Sequence, residues 1–299
     1  MIDYLIGVDG GGTGTRVRLT RRDGAELAQA SGGPSALARG IDKAWTTIDG
    51  VVGEAFAGIG IDGIPRRACA IGLGLAGVHN KEWAAAFVAA DPGYAALALD
   101  TDGFTTLMGA HGGAPGAIVA IGTGSVGEAL RADGSKVEVG GWGFPAGDEA
   151  GGAWMGLRAL NHIERVLDGR AEGGALARDV IAFCGGSRDA VQVWLGKADQ
   201  NACAGLARFV VAHGATDPVA RAILEQAGHE VAAIAAALDP GATLPLALCG
   251  GLGEVLRAWL PPDTLARCLA PQGDSAAGAL RMIRRHLDYH GEQPQGAAQ

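Results

Sequence analysis

Apolar positions along the chain fall into short runs that end at glycines and into longer stretches with helical spacing. Residues 4–9 (Tyr-Leu-Ile-Gly-Val-Asp) are an apolar run closed by an acid and followed at once by Gly10-Gly11-Gly12-Thr13. Thr15-Arg16-Val17-Arg18-Leu19-Thr20 then alternates as a half-buried strand does, so the two runs predict a hairpin with a glycine-rich turn. Ile41, Trp45, Ile48, Val51, Val52 and Phe56 recur at helical spacing over 41–57. Residues 68–75 read as a buried strand and 81–90 as a helix. Residues 95–99 read as a short strand running into Asp100-Thr101-Asp102, with a helix over 104–111.

The opening pattern then recurs. Residues 117–121 are apolar, Gly122-Thr123-Gly124-Ser125 follows, and 126–131 and 137–139 read as further strands around the polar turn Asp133-Gly134. Gly10 and Thr123 stand 113 residues apart, an interval that predicts a duplicated architecture with one glycine-rich hairpin opening each half. From 152 to about 238 the pattern is mainly helical. A last strand, 244–249, meets Gly250-Gly251-Leu252-Gly253 and a helix to about 260. A helix over 275–287 precedes a Gly/Gln/Pro/Ala tail expected to fray.

Composition adds limits. A chain of 299 residues is long for one core and suits two lobes. It is 48% hydrophobic and 19% charged, ample for packed interiors. A net charge of −8 argues against a general nucleic-acid binder, so an anionic ligand must be held locally, by backbone N–H groups and a metal ion. Cys69, Cys184, Cys203, Cys249 and Cys268 are scattered and form no CxxC pair, which suggests neither a disulfide framework nor a zinc site. No basic-then-apolar leader opens the chain and no apolar run has bilayer length, so the expectation is a soluble, cytoplasmic protein without a membrane partner.

Asp9-Gly10-Gly11-Gly12-Thr13 carries the strongest chemical signal. Glycines after a buried strand free the backbone for φ > 0 and leave no Cβ to block a ligand, so successive N–H groups can form an anion site. Thr13 adds a hydroxyl, and Asp9 is placed to hold Mg²⁺ through its waters. A plain hairpin turn is the alternative, though a two-residue turn needs no third glycine. Gly122-Thr123-Gly124-Ser125 repeats the logic and gains weight as the second member of a pair. Gly250 and Gly251, between strand and helix, suit a nucleoside against bare backbone or, equally, close packing. Asp102, at a strand end before a helix, suits a base orienting a hydroxyl for phosphoryl transfer; a helix N-cap is the alternative, and Asp100 competes for the role. Gly140-Gly141-Trp142-Gly143-Phe144-Pro145-Ala146-Gly147-Asp148-Glu149 combines glycines, aromatics and paired acids in the manner of a sugar-facing loop, a capped structural loop being the alternative.

Together these segments resemble the N-acetylglucosamine kinase branch of the sugar kinase, heat-shock chaperone and actin superfamily. That branch includes bacterial glucosamine kinases and ATPases of the BadF/BadG/BcrA/BcrD type. The resemblance rests on Asp9 to Thr13, Thr101-Asp102-Gly103 with Leu107-Met-Gly-Ala-His111, Gly122 to Ser125, Gly140-Gly-Trp-Gly143 with Gly147-Asp-Glu149, and Gly250-Gly251.

It implies an α/β, two-lobed actin-like ATPase (ribonuclease H-like) fold with duplicated mixed sheets, flanking helices and a central cleft. One lobe would comprise 1–114 plus about 276–299 and the other 115–275. It further implies an ATP- and Mg²⁺-dependent kinase acting on the 6-hydroxyl of N-acetylglucosamine or glucosamine. Asp9, Gly10, Gly11, Gly12, Thr13, Gly122, Thr123, Gly124 and Ser125 would lie at the phosphates and Gly250 and Gly251 at the adenosine. Asp102 would be the base; Ser35, Gly141, Trp142 and Asp148 would lie at the sugar. A homodimer stays open.

The chain departs from the family pattern at Ser35-Ala36, where such kinases often carry Asn, at Ala76 for a frequent Ser, and at Val126 for an Asn. A partner-activating ATPase is the rival of another class; its iron–sulfur relatives use closely paired cysteines, a pattern that Cys184 and Cys203 do not show.

Overall fold

The computed structural model describes residues 1–291, and the tail expected to fray lies outside them. The chain divides into two compact units, Met1–Ala114 with the segment from Pro271 onward, and Pro115–Ala270. Asp274 and Ser275 therefore belong to the first unit.

In the first unit the hairpin is β1 (Tyr4–Gly10) and β2 (Thr15–Arg21), and β3 (Glu26–Gly32) extends it. Then come α1 (Ile41–Ala57), β4 (Cys69–Leu75), α2 (Lys81–Ala89), β5 (Ala96–Asp100) and α3 (Asp102–Ala110). The sheet order is β3-β2-β1-β4-β5, antiparallel through the hairpin and parallel from β1 to β5. In the second unit β6 (Gly116–Ile121), β7 (Ser125–Leu130) and β8 (Lys136–Gly140) form the meander.

Helices α4 (Gly152–Leu167), α5 (Ala175–Phe183), α6 (Arg188–Leu195), α7 (Gln200–Ala204), α8 (Ala207–His213) and α9 (Pro218–Leu238) fill the stretch whose spacing predicts helix. β9 (Leu246–Cys249), α10 (Gly253–Arg257), α11 (Pro262–Ala266) and β10 (Cys268–Leu269) complete the unit. Its sheet order, β10-β9-β6-β7-β8, repeats the first sheet element for element, as the recurring hairpin predicts. The helix expected to reach about 260 is shorter, ending at Arg257.

The last helix, α12 (Ser275–Gly291), returns to the first unit. Glycines set how closely it docks. A side chain at Gly7 of β1 would strike the Ala276 carbonyl, and one at Gly72 of β4 would strike that of Ala279. A side chain at Gly109 of α3 would strike the Asp274 carbonyl, and one at Gly278 of α12 that of Thr105. Backbone thus meets backbone on both sheet and helix, and Leu5, Ala70, Leu280 and Ile283 close the layer. The two main cores are separate, one gathering Ile6, Leu19, Ile48 and Phe56, the other Val119, Met155, Leu224 and Leu246. Among the described residues no helix is long and apolar enough to cross a membrane.

Candidate active site

The parallel strands of the first unit end in a row of candidates. Asp9 pairs in register with Gly74, and Gly74 with Asp100, so the C-terminal ends of β1, β4 and β5 share one edge, where α/β sheets characteristically bind ligands. The Thr101 hydroxyl accepts from the Phe104 N–H at 2.9 Å and caps α3. Capping therefore does not occupy Asp102, the first helical residue, whose Oδ1 accepts from the Gly103 N–H at 3.1 Å. Burial raises the Asp102 carboxyl above the ordinary range, against the pull of that N–H and of His79. Asp100 is turned to its own backbone, with Oδ1 2.9 Å from the Thr101 N–H.

Asp9 stands in the same electrostatic neighbourhood. Burial raises its carboxyl, and the nearby charges of Asp102 and Asp274 raise it further; a hydrogen bond from Ser275 and the Arg16 cation oppose this. Arg16 is its cross-strand partner, with Nε 4.0 Å from Oδ2. Ser275 Oγ is also 2.8 Å from Thr105 Oγ1, a buried pair that links α12 to the first turn of α3. Asp274 accepts from Arg18 Nε and Nη2 at 3.1 and 2.8 Å and from the Ala277 N–H at 2.9 Å. Burial works to raise Asp274, but these donors outweigh it and hold the carboxyl low.

The first glycine turn is open. Gly11 N–H bonds the Gly14 carbonyl, while among the described residues the N–H groups of Gly12 and Thr13 meet no carbonyl, and a side chain at Gly12 would find no atom within 4 Å. Beneath it lies Ser35, 0% exposed, with its hydroxyl 2.7 Å from that of Thr15 and in the space a Gly10 side chain would need. Ser35, expected at the sugar, is buried here beneath the turn, with Thr15 and Gly10 enclosing its hydroxyl.

The second turn repeats the first on other supports. Gly122 N–H bonds the Gly124 carbonyl, and among the described residues the N–H groups of Thr123 and Gly124 meet no carbonyl. The start of α4 is laced to it: Gly152 N–H donates to Gly122 O at 2.8 Å and Ala153 N–H to Thr123 O at 2.9 Å. Ser125, expected at the phosphates, is buried and gives its hydroxyl to the Glu149 carbonyl. Asp148 is 7% exposed; its carboxylate fills the space a Gly124 side chain would need and accepts from Gln200 Nε2 at 3.0 Å. Gly141 and Trp142 lie on an exposed loop, with Trp142 86% exposed. Gly250 takes φ +80° with its backbone against Ile121, one residue before the second turn, and Gly251 is open.

Residues 6–246 match the BadF/BadG/BcrA/BcrD ATPase family. The chain belongs to that family. Along its length it is 30% identical, over 283 residues, to a glucosamine kinase of Vibrio cholerae, covering 93% of this chain and 95% of the relative. The solved structure of a Chromobacterium violaceum protein, provisionally described as an N-acetylglucosamine kinase, is 55% identical, with TM-score 0.91 over 94% of this chain and 99% of its own. A ROK hexokinase of Thermus thermophilus shares the fold alone, at 18% identity and TM-score 0.52 over 95% and 99% of the two chains. The α/β architecture of this BadF-type ATPase is the actin-like one.

A BadF-type ATPase uses ATP, and each open turn, taken by itself, fits a phosphate group: among the described residues Gly12 and Thr13 in the first, and Thr123 and Gly124 in the second, offer N–H groups without a protein acceptor beside glycines. The fit to a cation is of a particular kind. Among the described residues no group of three or more His, Cys, Asp or Glu side chains could cage a metal, so an ion at Asp9 would keep most of its waters, as Mg²⁺ does.

Sequence reasoning missed Thr105, Asp274, Ser275 and Gln200. Asp274 had a local signal, an acid three residues before the amide it caps at the start of an apolar-periodic helix. Gln200 had none, since its contact spans 52 residues.

Proposed function

We propose that this chain is an amino-sugar kinase that transfers the γ-phosphate of ATP to the 6-hydroxyl of N-acetylglucosamine, with glucosamine as the alternative acceptor. The observation that carries the reading is Asp102, a half-buried carboxylate not occupied in capping its helix, on the strand edge that also bears Asp9 and an open glycine turn. The similarity to a glucosamine kinase along nearly the whole chain supports the acceptor class.

Phosphoryl transfer asks little covalent chemistry of the protein and much alignment. In this reading Asp102 accepts the proton of the sugar hydroxyl, and its raised affinity for a proton suits a base. The N–H groups of Gly12, Thr13, Thr123 and Gly124 hold phosphate oxygens. Asp9 holds hydrated Mg²⁺, and Gly250 and Gly251 lie at the adenosine. Bound ATP with its Mg²⁺ supplies the phosphoryl group and a counter-charge to its oxygens. Asp148, Gly141 and Trp142 face the sugar. Cys184 and Cys203, which lack the close pairing of the iron–sulfur relatives, are buried with their thiols pushed up by desolvation, which suits inert core residues.

The test is ADP release with glucosamine, N-acetylglucosamine, glucose or no sugar. We expect amino-sugar-stimulated turnover that falls at least about a hundredfold in Asp102→Asn. Equal ADP release with and without every sugar would overturn the proposal.

A further inference from the structure

Asp148 reaches its place by an unusual backbone path. Asp148 and Ala150 both take left-handed φ values, +64° and +66°, which L side chains adopt rarely. The path presses the carboxylate against Gly124 and presents Oδ2 to the Gln200 amide at 3.0 Å. Among the described residues no donor is paired with Oδ1, and that atom is not among those sealed from solvent without a partner. Such a carboxylate has one oxygen fixed by the protein and the other available to a ligand hydroxyl.

Packing fixes Gln200 in turn. Helix α7 lies on α4 at backbone contact, because Gly156 leaves room for the Cys203 carbonyl and Gly152 stands against Ala204. Asp199 caps α7 by accepting from the Ala202 N–H at 2.8 Å, which holds Gln200 as the first helical residue. An amide is the donor this place needs: it bonds a carboxylate without neutralising it, whereas Lys or Arg would bring a full cation to the carboxylate that is to accept from a neutral hydroxyl.

We propose that Gln200 is a positioning residue for sugar recognition, holding Asp148 through Oδ2 so that Oδ1 accepts from a sugar hydroxyl. This rests on the amino-sugar kinase reading and on Asp148 as a sugar ligand. The second turn does not depend on Gln200, since its hydrogen bonds to Gly152 and Ala153 are its own.

The experiment compares Gln200→Ala, Gln200→Glu and Asp148→Asn with the native chain. KM for N-acetylglucosamine and for glucosamine, KM for ATP and kcat are measured alongside thermal melting and sugar titration by calorimetry. Losing a hydrogen bond to a charged group predicts a sugar KM about tenfold higher in Gln200→Ala, with kcat and ATP KM within about threefold.

Gln200→Glu keeps the volume and places an acid in the first turn of α7, which a helix favours, yet sets one carboxylate against another. It should bind sugar more weakly than Gln200→Ala, because the two carboxylates repel each other. A merely structural Gln200 predicts the reverse, a benign Glu and a harmful Ala. Unchanged sugar KM and calorimetric affinity in both Gln200 variants, with Asp148→Asn impaired, would overturn the role of Gln200 alone. Unchanged sugar affinity in Asp148→Asn, or native turnover indifferent to sugar, would instead overturn the reading on which it rests.

Discussion

The two glycine turns occupy the same place in two sheets of identical strand order, yet they are supported by different parts of the chain. The first rests on Ser35 beneath it, and its acid Asp9 is tied to Ser275 of α12, a helix more than 260 residues further along. The second rests on the start of α4, which follows it within 30 residues, and on Asp148 just before that helix. What the two share, open N–H groups in a glycine-rich turn, is what phosphate binding requires. What differs is the means of holding each turn, which an anion does not sense. Duplication thus preserves the open turn and leaves its supports free to diverge.

The largest effect expected is on the distant support. Gly72→Val would drive a side chain into the Ala279 carbonyl, and Gly278→Val would do the same at that of Thr105; both obstacles are backbone. Overpacking of this kind costs about 3 kcal/mol or more where nothing can yield. Denaturant unfolding should show this loss in the first unit, with activity lost as well. A loss below 1 kcal/mol would mean that α12 can withdraw from the sheet without consequence.

Next in size is a pair that separates ligand space from support space. Gly12→Ala meets no atom within 4 Å, so its stability should stay within about 0.5 kcal/mol of native while KM for ATP rises about tenfold. Gly124→Ala meets the Asp148 carboxylate. It should lower the melting temperature and raise KM for both ATP and sugar, because the turn and the acid must part. Matching behaviour of the two alanines would erase the distinction drawn between the turns.

A third effect is in pH. Asp102 acts as a base only when ionised, and burial raises its carboxyl, so kcat/KM should fall with decreasing pH at higher values than an ordinary aspartate would give. An acid limb in the normal carboxylate range would remove Asp102 from that role.

How much of this could be read from residues alone follows the same division. The hairpins and their glycines were legible because a short apolar run, a break and a second strand are local, and their recurrence exposed the duplicated sheets. Asp102 was legible as an acid at a strand end, although only the structure shows that Thr101 does the capping. β3 escaped notice because Glu26–Gly32 is mostly exposed and carries little apolar alternation. Ser35 was placed at the sugar by resemblance, whereas burial against Gly10 and Thr15 is a tertiary outcome that no local pattern encodes. Asp274, Ser275 and Gln200 depend on contacts across 256, 170 and 52 residues, which the order of elements cannot supply.

The smallest effect has the sharpest sign. Asp9 and Asp274 neighbour each other electrostatically, yet their carboxyls move in opposite directions. Asp9 is raised by burial, so the folded chain binds its proton more tightly than the unfolded chain does. Its contribution to stability is full below the ordinary carboxylate pKa and is lost as pH rises through the raised one. At neutral pH it is therefore a cost, and Asp9→Asn should raise the melting temperature while abolishing turnover. Asp274 is held low by Arg18 and the Ala277 N–H despite burial, so its contribution is present above the ordinary pKa and lost as pH falls through the lowered one. Asp274→Asn should accordingly lower the melting temperature at neutral pH, and the deficit should shrink in acid. Melting curves of both variants across the acid range check the pair. If both substitutions shifted stability in the same direction, the contrast between an acid held at a cost and a satisfied structural one would fail for this edge of the sheet.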